Sequence, residues 1–148
     1  MGGRLLRTCL IAGGLLGVTV LPAPAAPDPC SLVSRSEATA VFGARALPGT
    51  RSASADGTAC RYTDASRTAS IVVTVSEKPQ ALRSMETRAR GHAKPIRGLG
   101  ATAYDLGGTL YLNRGATVVT ISLVKGLRAG ATSEIQLFAL GKNASGRL

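Results

Sequence analysis

Residues 101–124 read ATAYDLGGTLYLNRGATVVTISLV. Three runs, 101–106, 109–113 and 117–124, are parted by Asp105-Leu106-Gly107-Gly108 and by Asn113-Arg114-Gly115. Both separators are tight-turn sequences, so the segment predicts three strands joined by hairpins. In the last run Val119, Ile121 and Leu123 alternate with Thr120 and Ser122, the period of a strand with one apolar face. Upstream, SIVVTVS at Ser70–Ser76 repeats the pattern. Ile71, Val73 and Val75 share one face, and the other face (Val72, Thr74, Ser76) is half polar. A fifth, shorter strand is expected over 58–63, carrying Cys60 and Tyr62.

Helices flank these strands. Ser34-Arg35-Ser36-Glu37 is a capping box, with Val33 and Ala38 placed for a hydrophobic staple. The helix it opens runs to Phe42, stops at Gly43 and offers Ala38, Val41 and Phe42 to the core. Pro79 suits the first turn of a second helix ending near Gly91. Leu82, Met85 and Ala89 form its apolar face, and Glu86 and Arg90 can pair on its surface. A third helix is expected over 131–142, with Ile135, Phe138 and Ala139 as core contacts and Glu134 favourably placed in its first turn. Residues 26–29 read as a tether, and 44–57 and 94–100 as loops. The expected fold is α+β: a two-layer sandwich with a single antiparallel sheet of about five strands and helices on one face.

The N-terminus carries an address. Arg4 and Arg7 precede an apolar run of about 14 residues, short of the roughly 20 that span a bilayer as a helix. PAPAAPDP follows, and Ala23-Pro24-Ala25 supplies the small residues of a cleavage site. Residues 1–25 are therefore expected to be a signal peptide, with 26–148 a single domain whose ordered core spans about 30–142. The alternative is a retained N-terminal anchor. Neither Cys9 nor Cys30 sits in a lipid-attachment box. The expected location is secreted, extracellular or cell-wall space, with no stable membrane span after processing.

Processing removes Cys9 and leaves Cys30 and Cys60, an even count that in an exported chain reads as one disulfide. Closing a loop of about 30 residues stabilises by roughly 3–4 kcal/mol in the chain-entropy model. Two free thiols are the alternative reading. A metal site lacks a third ligand nearby.

The 148 residues carry 18 Lys and Arg against 8 Asp and Glu, a net charge of +10 that falls to +8 without residues 1–25. At 45% hydrophobic and 18% charged the chain is not a disordered one. Arg83, Arg88, Arg90, Lys94 and Arg97 form the densest basic stretch and are candidate anion-binding residues. No aromatic residue is interleaved for base stacking, so specific nucleic-acid binding is not expected. The candidate partners are an anionic envelope polymer or another exported protein.

The catalytic inventory is thin. His92 is the only imidazole, and no Gly-x-Ser-x-Gly elbow accompanies the serines. No acids stand in an adjacent pair or at metal-ligand spacing. Gly98-Leu99-Gly100-Ala101-Thr102-Ala103 fits a loose dinucleotide pattern, but a strand should precede it and a helix follow it, and neither is expected there. It reads as a tight turn. Asn143-Ala144-Ser145 matches a glycosylation sequon at chance level. No catalytic residue, cofactor or metal is assigned.

Pro29-Cys30-Ser31-Leu32-Val33-Ser34, Glu37-Ala38, Phe42-Gly43, Cys60-Arg61-Tyr62 and the run Pro95-Ile96-Arg97-Gly98-Leu99-Gly100-Ala101-Thr102-Ala103-Tyr104 resemble a class of small exported actinobacterial proteins. Most of that class are lipoproteins or secreted proteins of unknown function. The resemblance covers most of 29–124 and implies an α/β domain with a paired Cys. It brings no catalytic residues, and this chain departs from it in lacking a lipobox. The expected function is a secreted, non-enzymatic, envelope-associated or extracellular binding module. The alternatives are a secreted hydrolase using Ser and His92, or a secreted inhibitor that docks a β face on a partner.

Overall fold

The computed structural model describes residues 25–77, 80, 83–84, 86–87, 90, 94–99, 102–124 and 131–148. The expected signal segment up to residue 24, Arg88 and His92 lie outside the described residues, as do Leu82, Met85 and Ala89 of the expected second helix.

One antiparallel sheet organises the chain. In order of sequence its strands are β1 (Thr50–Ser54), β2 (Gly57–Thr63), β3 (Ser70–Ser76), β4 (Lys94–Ile96), β5 (Thr102–Asp105), β6 (Thr109–Arg114) and β7 (Thr117–Val124). In space the order is β1-β2-β3-β7-β6-β5-β4. Two meanders, β1 to β3 and β4 to β7, are therefore joined where β7 pairs with β3 (Val73 opposite Ile121).

The sheet has seven strands rather than about five. The two additions lie in the segments read as loops. All five residues of β1 are exposed, so no apolar alternation marks it in sequence; its pairing with β2 makes it a strand. β4 has three residues and a central Pro95, which only an edge strand accommodates well.

Three helices are described from end to end: α1 (Pro29–Leu32), α2 (Arg35–Phe42) and α3 (Ala131–Gly146). α1 begins on the last residue of the expected tether, Pro29, and is not among the expected helices. Its sequence signal is Asp28-Pro29: the Asp28 carboxylate accepts from the Cys30 amide at 3.0 Å, and Pro29 begins the helix. α2 forms as its capping box requires. Glu37 N donates to Ser34 Oγ at 3.2 Å, Ser34 N donates to Glu37 Oε2 at 2.6 Å, and Gly43 closes the helix in the left-handed region. Such caps are worth about 1 kcal/mol each.

The inner face of the sheet carries the core. Ile71, Val73, Leu110, Leu112, Val119 and Ile121 are fully buried there. Leu32, Ala38, Leu137, Leu140 and Ala144 join them from the helices in one cluster. α3 presents a different face from the expected one: Ile135 is 70% and Phe138 39% exposed, and Ala139 is exposed too. Helices are also not confined to one face. Gln80, Arg83, Ser84, Glu86 and Thr87 are helical, and Ser84 shares a cleft with Thr74 and Thr120 of the outer face.

Candidate functional site

Two clusters of polar groups hold the molecule together. In the first, Cys30 and Cys60 form a disulfide that fastens α1 to β2, with their Cα atoms 5.2 Å apart. Beside it the Tyr62 hydroxyl donates to the carbonyls of Cys30 (2.9 Å) and Val33 (2.5 Å). Burial raises the Tyr62 pKa, and the nearby charges of Asp28 and Glu37 push the same way. In the second cluster the Glu37 carboxylate accepts from Ser34 N, from Asn143 Nδ2 at 2.7 Å and from both terminal nitrogens of Arg147 at 2.8 Å. The Arg147 hydrogen bonds are the largest cause of a Glu37 pKa lowered from 4.5 to about 2. A third buttress is local: Asp64 accepts from Ser66 Oγ, Ala69 N and Thr68 Oγ1 and is also held at about 2. These acids are spent on structure.

The sequon residues are spent as well. The Asn143 amide serves Glu37, and the buried Ser145 hydroxyl donates to the Leu99 carbonyl. Gly98 adopts a positive φ of 86° in the turn that leads to β5, and Leu99 is buried in the core. Among the described residues no group of three or more His, Cys, Asp and Glu side chains gathers as a metal would require. No described helix is long and apolar enough to cross a membrane.

The basic stretch is spread over several elements. Arg83 lines a shallow concavity with Gln80, Ser84 and Thr87, and Arg90 lies exposed beyond them. Lys94 belongs to β4, where its ammonium stands 3.8 Å from Glu134, and Arg97 follows exposed. Arg88, the fifth expected member, is outside the described residues.

The outer face of the sheet offers a more organised surface. Cross-strand register puts Thr74 of β3 opposite Thr120 of β7, and Thr120 opposite Tyr111 of β6. One register step away Ser122 stands opposite Thr109, with 3.2 Å between their hydroxyls. Neighbouring strands lie about 4.8 Å apart, so Thr74, Thr120 and Tyr111 make a row of hydroxyl-bearing residues about 10 Å long from the first Cα to the last. All three are half-buried, and none has a side-chain hydrogen bond among the described residues.

These side chains line a cleft of about 370 Å³, within the 300–1,000 Å³ of typical small-ligand sites. Ser84 closes it from the helical segment, and Asp56, from the β1–β2 turn, supplies a carboxylate among the described lining residues. Arg61 stands on the same face two strands from Ser122, where its Nη1 donates to Ser70 Oγ at 3.2 Å. The alternation in β3 and β7 revealed a half-polar face. It could not reveal the register that aligns three hydroxyls, which depends on β7 returning to β3.

Compared with family models, curated proteins and solved structures, the chain matches none.

Proposed function

We propose that the chain is an exported, non-enzymatic binding module of the cell envelope or extracellular space, and that it binds through the outer face of its sheet. The observation that carries this reading is the cleft over that face, with its row Thr74-Thr120-Tyr111 unpaired among the described residues. Half-buried hydroxyls without protein partners hydrogen-bond to water or to a ligand, and a concave arrangement favours a ligand that replaces several waters at once. The Cys30–Cys60 bond supports an oxidising location. Among the described residues the hydroxyls of the row have no imidazole, lysine or carboxylate as a hydrogen-bond partner.

The test is amide and side-chain NMR on the oxidised, secreted protein, titrated with soluble envelope fragments, anionic lipid vesicles and peptides. Binding should shift resonances on β3, β6 and β7 and leave the added compound chemically unchanged. Turnover of a fragment, or shifts confined to the inner-face helices, would overturn the proposal.

A further inference from the structure

From the cleft's composition we infer that its ligand is a neutral carbohydrate, an inference that rests on the binding-module reading above. The described lining is dominated by side-chain hydroxyls: Thr74, Ser84, Thr109, Tyr111, Thr120 and Ser122. A hydroxyl both donates and accepts. A wall of hydroxyls therefore complements a ligand whose own groups do the same, which is the chemistry of a sugar ring.

Charge points the same way. Although the chain carries a net +10, the described lining contains no Lys, Arg or His and one acid, Asp56. Among the described residues a phosphate or uronate placed there would meet no counter-charge and would be repelled by Asp56. A carboxylate at the rim suits a neutral sugar, because it accepts hydrogen bonds from adjacent hydroxyls. The Tyr111 ring provides apolar surface for the C–H face of a sugar ring. Arg83 opens onto a neighbouring concavity that shares Ser84 with the cleft.

The experiment titrates the secreted, oxidised protein with maltotriose, cellotriose and the trimer of N-acetylglucosamine. A polyglycerol phosphate and a heparin oligosaccharide serve as anionic arms. At least one neutral trimer should shift resonances of Thr74, Thr120 and Tyr111, with an affinity that stays level as salt is raised. Thr120→Val and Tyr111→Phe keep the side-chain shape and remove the hydroxyl. Each should weaken that binding about three- to tenfold while leaving the melting temperature unchanged. Cleft shifts from an anionic arm or a peptide, with none from the neutral trimers, would overturn the carbohydrate assignment and leave the binding module standing. Neutral-trimer affinity unaffected by both substitutions would also overturn it. Silence of the cleft toward every compound would remove both readings together.

Discussion

Glu37 and Arg147 meet through two parallel hydrogen bonds of 2.8 Å each, across 110 positions of sequence. The same carboxylate caps α2, so one acid couples the start of the first long helix to the end of the chain. Arg147 adds a bond of 2.7 Å to the Leu32 carbonyl. The C-terminal turn is thereby built into the fold.

The pH dependence follows from that pairing. The folded Glu37 pKa lies below its ordinary value, so the stabilisation is present in full above about pH 4.5 and is lost as pH falls toward about 2. The loss from this group is of the order of 2 kcal/mol, allowing for solvent around the partly exposed Arg147. Asp64 titrates in an overlapping range and adds to the same slope. Glu37→Gln keeps the cap but not the charge. It should cost about 1–2 kcal/mol at neutral pH and flatten part of the acid limb in melting curves. An unchanged acid limb in that variant would show that the pair contributes nothing.

The disulfide and Tyr62 act on one junction and should be energetically coupled. Replacing both Cys30 and Cys60 by Ser should lower stability by about 3 kcal/mol. Tyr62→Phe removes the donor shared by two carbonyls and should cost about 1–2 kcal/mol. In a cycle by urea denaturation the combined variant should lose less than the two effects added, because both secure α1 to β2. Strict additivity would mean that Tyr62 braces something other than the α1 junction.

What the sequence made legible was local. The capping box at Ser34, the Gly43 stop, the Cys30–Cys60 pair and the strands Ser70–Ser76 and Thr117–Val124 each rest on chemistry within a few residues or on an even cysteine count. The edge strand Thr50–Ser54 was not legible, because its five exposed residues owe their conformation to hydrogen bonds with residues 57–61. Glu37 was readable as a cap, but its partners Asn143 and Arg147 lie more than 100 positions away. The hydroxyl row was half visible. Alternation named Thr74 and Thr120 as outward-facing, but only the pairing of β3 with β7 and β7 with β6 aligns them with Tyr111.

The facing of α3 separates two readings of the same helix. Ile135, Phe138 and Ala139 have apolar helical spacing, and so do Leu137, Leu140 and Ala144. The second set is the buried one, with Leu137 and Leu140 each 2% exposed. Leu137→Ala should therefore cost about 2–4 kcal/mol, whereas Ile135→Ala should stay within about 0.5 kcal/mol of the parent. Chemical denaturation of the two variants decides the matter, and a reversed ranking would mean that the helix is rotated.

Gly141 explains why the helix settles on that face. It is buried against the sheet, where an added Cβ would stand 2.3 Å from Leu110 Cδ2 and 3.4 Å from Leu99 Cδ1. Leu110 is itself fully buried, so its methyl group has no free space to yield into. Gly141→Ala should destabilise by about 1–3 kcal/mol through overpacking, despite the better helix propensity of Ala. At Gly146, at the exposed end of the same helix, an added methyl group would meet nothing within 4 Å, so Gly146→Ala should be neutral or stabilise by up to about 1 kcal/mol. The same substitution thus carries opposite signs five residues apart. Thermal melts of the two variants showing equal shifts would mean that α3 does not approach β6 as closely as Gly141 permits.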